Sequence, residues 1–280
     1  MSTSASRAKV RNAMMAAWTI LLFLFVFAPI FAMIAFSFNV DRFPAFPWGG
    51  TSTIWYEHIF ADVSVERGFY NSLLVAGLSA SIATMLGFTG AYLDYRFEFT
   101  GKGLFFAVAS SPPTVPVVIL GVAMLTFQGR IGISGTTLGL VAAHVVICAP
   151  FAMALIRMRL NDLNKDIEQA AWNLGAGPWV AMREIIVPFC LPAILASLFI
   201  TASVSFDEFM IAWFVSGQNE TLPVRILAML QGQVSPRINA VGSLVFIASV
   251  LLIFAAQLLA FRRKKRIVKD NYNERHDFRA

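Results

Sequence analysis

Charged side chains are absent from six long stretches, residues 12–40, 68–93, 103–129, 131–156, 185–206 and 238–261, which are 29, 26, 27, 26, 22 and 24 residues long. A helix needs about 20 apolar residues to cross a hydrocarbon core of roughly 30 Å. The chain is 58% hydrophobic and 14% charged over 280 residues, where a soluble domain has about 45–50% and 25%. An ordinary water-soluble globule is therefore excluded. The expected architecture is all-α and polytopic, with six transmembrane helices at about 14–38, 69–93, 104–127, 138–160, 191–215 and 239–261. They form a single membrane domain spanning 1–280.

The basic residues orient this domain. Of 22 Lys and Arg, three precede the first span, eight follow the last, two lie in 94–103 and four in 157–190. Five remain for the intervening loops 39–67, 128–137 and 216–239. The positive-inside rule then places both termini, and the loops after spans two and four, in the cytoplasm. The run Arg262-Arg263-Lys264-Lys265-Arg266, in a basic tail over 262–280, reads as a stop-transfer anchor against membrane lipid; nucleic acid is not an expected partner. The N-terminal apolar run is about twice as long as a signal-peptide core, so it is expected to be retained.

Two segments interrupt the plain helical pattern. The loop 39–68 is rich in Pro, Gly and aromatic residues (Pro44, Pro47, Gly49, Gly50, Trp48, Trp55) and carries Asp41, Glu57, Asp62 and Glu66. It reads either as an interfacial aromatic loop or as a docking surface for an extracytoplasmic partner. In span three, Ser110-Ser111-Pro112-Pro113-Thr114-Val115-Pro116 removes three backbone donors and should break the helix near mid-membrane. Such breaks persist where they are buried in protein or line a wet cavity. The pairs Gly135/Gly139 and Gly77/Ser81 are expected to permit close helix packing.

The segment from Asn161 to Pro192 carries the most information. A short helix is expected, with Asn161 and Asp162 as capping types and Gly175 as its left-handed terminus. Pro178 suits the first turn of a second helix, running through Trp179, Met182, Ile185 and Ile186 to Pro188. Two helices thus meet at a glycine on the cytoplasmic face, with the small Ala170 and Ala171 open to close approach.

These residues carry a resemblance. Gln169-Ala170-Ala171, then Gly175, then Ile185-x-Val187-Pro188 is similar to the EAA motif of binding-protein-dependent ABC importer permeases. By spacing from Gly175, the family's glutamate position is Gln169, with Glu168 just before it. The six-span plan with both ends inside also matches, and Ser205-Phe206-Asp207-Glu208-Phe209, Phe214-Val215-Ser216-Gly217, Leu222-Pro223-Val224 and Val234-Ser235-Pro236 resemble the second permease of spermidine/putrescine-type systems. The resemblance implies a type I ABC importer permease fold in a bacterial inner membrane. It also implies a coupling helix within about 161–190 that seats in the ATP-hydrolysing subunit, with Glu168, Gln169, Ala170, Ala171, Gly175 and Ala176 at that contact. The implied partners are a second permease, two ATP-binding subunits and an extracytoplasmic solute-binding protein. ATP and Mg belong to the ATPase subunits, and no cofactor is expected on this chain.

Catalysis finds no support. The chain lacks a phosphate-binding G-x-x-x-x-G-K-[ST] loop and a zinc H-E-x-x-H pair, its histidines His58, His144 and His276 are far apart, and Cys148 and Cys190 form no disulfide framework. The membrane charges are the exception. Asp207 and Glu208 each cost about 2.5–3.5 kcal/mol at mid-membrane, and the Leu, Ile, Phe and Val of 191–215 return about 0.3–0.6 kcal/mol each. The acids must therefore face protein or water. On a continuous helix Ser197, Thr201, Ser205 and Glu208 share a stripe about 80° wide, while Asp207 points away beside Ser203. That stripe reads either as a wet face or as ending in interfacial acids at the end of the span, capped by a loop. Together with Pro112, Pro113, Thr114 and Pro116 it forms the candidate pathway for a small organic solute, expected to be a polyamine or related cationic amine. Another solute of the same importer class (an opine, an amino-acid derivative, an aminophosphonate or iron) and an ATP-independent secondary transporter are the alternatives.

Overall fold

The computed structural model describes residues 2–41, 48–232, 236–251 and 254. Pro44, Pro47, Val234, Ser235 and the basic tail 262–280 lie outside the described residues, as does most of 252–261 in the sixth expected span. The described chain is helical: α1 (Ser2–Ser37), α2 (Ile54–Phe60), α3 (Val63–Arg96), α4 (Lys102–Ala109), a 3-10 turn at Pro112–Thr114, α5 (Val117–Ile131) and α6 (Thr137–Asn161). There follow α7 (Lys165–Asn173), α8 (Pro178–Ala181), a π turn at Met182–Ile186, α9 (Val187–Asp207), α10 (Met210–Val215) and α11 (Leu222–Gly232), with α12 over Arg237–Leu251. Among the described residues four helices are long and apolar enough to cross a membrane: Lys9–Ser37, Val63–Arg96, Thr137–Asn161 and Pro178–Asp207. Val117–Ile131, Leu222–Gln231 and Arg237–Leu251 are shorter apolar helices.

The chain divides into two compact units. In the first, Met1–Val63 with Ile226–Ala248, α1 runs outward-facing along most of its length. An isolated bridge between Asn39 and Thr51 turns the chain after it. Trp55 donates its indole N–H to the Asn39 carbonyl at 2.6 Å, and the Ser37 and Tyr56 hydroxyls meet at 2.7 Å. The first bond satisfies a backbone carbonyl at the turn, and the second ties the end of α1 to α2. Gly242 of α12 lies against Met33 of α1, where a Cβ would come to 2.7 Å from Sδ.

In the second unit, Ser64–Arg225 with Ser249–Ala280, α6 packs chiefly on α9, and α5 on α10. Lipid offers little hydrophobic drive between spans, so close approach depends on small side chains. Ser72, Ala76, Ser79, Ala80, Ala83, Gly87 and Ala91 form such a buried stripe on α3. At Gly87 a Cβ would lie 2.6 Å from Ala152 Cβ and from the Met153 amide nitrogen. The expected pairs divide, since at Gly139 a Cβ would come 2.7 Å from Gln128 Oε1, a close approach that Gly135/Gly139 permits. Gly77 has open space around it, and Gly135 precedes α6 as a left-handed turn residue, φ +74°, facing Gly217.

Several expected boundaries move. The second cytoplasmic helix and span five are one continuous run from Pro178, because the π turn widens the backbone ahead of Pro188, whose ring would otherwise strike the carbonyl of Glu184. That run ends at Asp207, with Glu208 extended at φ −68° and ψ 120°. Helix α6 absorbs Asn161, and Asp162 closes it. Asn164 caps α7 instead, its side chain accepting the Asp166 amide at 3.0 Å.

Candidate functional site

Helix α7 has an inner and an outer face. Its inner face carries Glu168, which is 4% exposed. Tyr95, near the end of α3, donates its hydroxyl to Glu168 Oε2 at 2.9 Å, and Arg96 reaches Oε1 at 3.7 Å. The Arg96 guanidinium also lies 4.2 Å from the centre of the Trp172 ring, and Lys165 Nζ stands 5.9 Å from that of Tyr95. A buried carboxylate is costly unless paired and hydrogen-bonded; Glu168 has both. It is the inward-facing neighbour of Gln169, which with Ala170 is exposed. Ala171 and Ala176 are half-buried.

The turn after α7 closes as expected. Gly175 adopts φ +86° with open space around it, and Pro178 begins α8. Around this turn Leu174 is 89% and Trp179 73% exposed, with Ile167 and Val180 also outward. Charged Lys165, Asp166, Arg183 and Glu184 intersperse them, a composition unlike that of a lipid-facing stripe.

The last turn of α3 has a second set of partners. Asp94 pairs with Arg157 of α6 and, at 3.4 Å, with Lys102 of α4. Lys102 also donates to the Asp94 carbonyl at 2.7 Å and to Glu98 at 2.9 Å. The hydrogen bond to Glu98 raises the Lys102 pKa above the ordinary lysine value; partial desolvation opposes it and Asp94 adds to it. These groups, with Phe106, Ala107 and Ser110, line an open cleft of about 760 Å³.

The break in span three is present and hydrogen-bonded locally. A proline at position i leaves the i−4 carbonyl without its helical partner. The Val108 carbonyl, orphaned by Pro112, accepts the Ser111 amide at 3.1 Å and the Ser111 hydroxyl at 2.8 Å. The Pro112 carbonyl, orphaned by Pro116, accepts the Val115 amide at 3.2 Å. Pro112 is half-buried, whereas Pro113, Thr114, Val115 and Pro116 are exposed on the chain's surface.

The polar stripe of span five is resolved differently from expectation. Ser197, Thr201 and Ser205 are buried on the face turned to α6, not on an open one. Ser205 Oγ meets His144 Nδ1 at 2.7 Å, and Cys148 Sγ lies 3.6 Å from the Thr201 carbonyl. Ser197 and Thr201 bond back within α9, to the Ile194 carbonyl at 2.9 Å and the Ser197 carbonyl at 2.7 Å. Glu208 does not continue this stripe, since the helix has ended; its Oε1 accepts the Ile211 amide at 2.8 Å and caps α10. Asp207 is exposed. The α3–α7 contacts went unread in the sequence because Tyr95 and Arg96 are 73 and 72 residues from Glu168, and no local pattern links them. Among the described residues no group of three His, Cys, Asp or Glu side chains could hold a metal ion.

Residues 83–269 match the family described as binding-protein-dependent transport system inner membrane component. The spermidine/putrescine transport system permease protein PotC of Haemophilus influenzae is 32% identical over 91% of this chain and 97% of its own. The putrescine transport system permease protein PotI of Escherichia coli is 32% identical over 89% and 91%. A bacterial ABC transporter involved in the import of the acidic polysaccharide alginate shares the fold, with a TM-score of 0.74 at 16% identity over 92% of this chain and 96% of that one. The chain is thus a multi-pass bacterial inner-membrane protein with an ABC importer permease fold, and it belongs to the family of binding-protein-dependent transport system inner membrane components.

Proposed function

We propose that the chain is a permease subunit of an ATP-driven importer of polyamines or related cationic amines. The observation that carries the reading is the outer face of α7. A helix held from within by Glu168 and Trp172 presents Gln169 and Ala170 outward, beside exposed Leu174 and Trp179. Large apolar side chains exposed among charges mark a protein contact. The partner that fits is a cytoplasmic ATPase subunit carrying ATP and Mg. The exposed break at 113–116 supports a second permease: irregular backbone at membrane depth is tolerated where protein buries it or a wet cavity adjoins it. Six spans with both termini cytoplasmic, a single membrane domain over 1–280, two ATPases and an extracytoplasmic binding protein complete the assembly, which works by alternating access. The solute class rests on what PotC and PotI are named for.

The test is reconstitution of the whole transporter in proteoliposomes, with uptake of labelled putrescine and spermidine and phosphate release followed together. Ala170→Arg should place a charge and a long side chain in the contact and uncouple hydrolysis from uptake. Full transport by Ala170→Arg would sink the docking role of α7, and failure of the parental complex to take up either amine would sink the solute class.

A further inference from the structure

The last turn of α3 contacts α7 on one side and α4 and α6 on the other. On one side Tyr95 and Arg96 hold the inner face of α7 through Glu168 and Trp172. On the other, Asp94 holds Lys102 at the start of α4 and Arg157 on α6. Helix α4 is eight residues long, and Phe106 is its one buried residue. It is bounded by turns at both ends: Gly101, at φ +85° with open space around it, and the proline break. α3, in contrast, is one 34-residue helix packed along a small-residue stripe. A push on α7 therefore meets a stiff rod whose end is fastened to a short helix that has a single buried residue.

We propose that residues 94–96 form a relay through which movement of α7 reaches α4, with Glu168 as the positioning residue on the α7 side and Asp94 on the α4 side. Tyr95 and Arg96 fix Glu168 by a hydrogen bond and an ion pair, so α7 and the end of α3 move as one body. Lys102, with its ammonium on Asp94 and Glu98, makes α4 follow. Coupling of this kind needs a contiguous network and an element with two arrangements; α4, cut off from α5 by the break, is that element. The inference rests on reading α7 as the ATPase-docking helix.

The experiment uses the complete transporter and a readout that needs no solute. Ala107 is exposed in the cleft beside Asp94 and Arg157, and the native Cys148 and Cys190 are buried, so Ala107→Cys reports on α4 through its rate of labelling by a small water-soluble thiol reagent. In the parental background, trapping the ATPases with ATP and vanadate should change that rate about fivefold or more. Glu168→Ala and Asp94→Asn should each reduce the change to below about twofold, and the double variant should do no more than either alone, because neighbours in one network are not additive. Tyr95→Phe, which removes a single hydroxyl, should give an intermediate value and covers the case in which Glu168→Ala does not assemble. No nucleotide-dependent change in the parent, or a parental response in Tyr95→Phe and Asp94→Asn alike, would overturn the relay. Ala170→Arg separates the two readings: if it abolishes the response while Glu168→Ala keeps it, docking stands and the relay falls. If Ala170→Arg keeps it, the docking role itself is wrong.

Discussion

Glu208 accepts the Ile211 amide at 2.8 Å where α9 has ended and α10 begins, so its carboxylate satisfies backbone as well as carrying charge. The two roles separate by substitution. Glu208→Gln keeps an acceptor for Ile211 and should unfold at nearly the parental temperature, whereas Glu208→Ala should lose about 1 kcal/mol, the usual value of an N-terminal cap. If the charge attracts an ammonium solute, both variants should take up putrescine and spermidine more slowly, and Glu208→Gln should be slower than Asp207→Asn. Equal uptake by Glu208→Gln and the parent would leave Glu208 a cap alone. Ser205 makes the complementary case. Ser205→Ala strands His144 Nδ1 in a buried site, and an unpaired buried polar group costs about 1–3 kcal/mol. The expected result is a clear fall in the melting temperature of the detergent-solubilised protein, and no change would argue that His144 finds another partner.

At the scale of elements, two glycines predict opposite outcomes for the same kind of change. Gly175 is left-handed but surrounded by open space, so Gly175→Ala should cost only the backbone term, about 1–2 kcal/mol, with the complex still assembled. Gly87 has ordinary backbone but meets Ala152 and Met153 of α6 at 2.6 Å. Gly87→Leu should force α3 and α6 apart, cost roughly 1–3 kcal/mol or more and lower the yield of folded protein, while Gly77→Leu, with nothing nearby, should be tolerated. Size-exclusion profiles of the three variants in detergent test the contrast. A small-residue pair visible in sequence, Gly77/Ser81, is therefore not the one that packs within the chain. The period along 72, 76, 80, 83, 87 and 91 was available to be read but was hidden among equally small residues on neighbouring faces.

For the whole molecule, the exposed break is the decisive feature. Thr114 and Val115 lie on the surface of the single chain, and in the proposed importer they would line either the solute path or a seam with a second permease. Cysteines placed at these positions should react with small water-soluble thiol reagents in the reconstituted complex, and putrescine or spermidine should slow the reaction. Inertness in every nucleotide state would assign the break to a dry seam.

The sequence alone determined the class of molecule, because an absence of charge over 22 to 29 residues is tolerable only in lipid or a buried core, and because Gly175, Pro178 and the three prolines act on their own backbones. Helix breaks, caps and turns are local chemistry, and they could be read locally. Which faces meet was decided only by the tertiary structure. Ser197, Thr201 and Ser205 have the composition of a wet stripe, yet a hydroxyl in a helix can bond back to its own carbonyls or be buried against a neighbouring helix, as Ser205 is against His144, so composition cannot separate the two environments. The end of α9 before Glu208 turned one expected stripe into a packed face and a cap. Whether Glu168 or Gln169 faces outward depended on Tyr95 and Arg96, more than seventy residues away, since a carboxylate on α7 turns inward only where a cation and a hydroxyl wait to receive it.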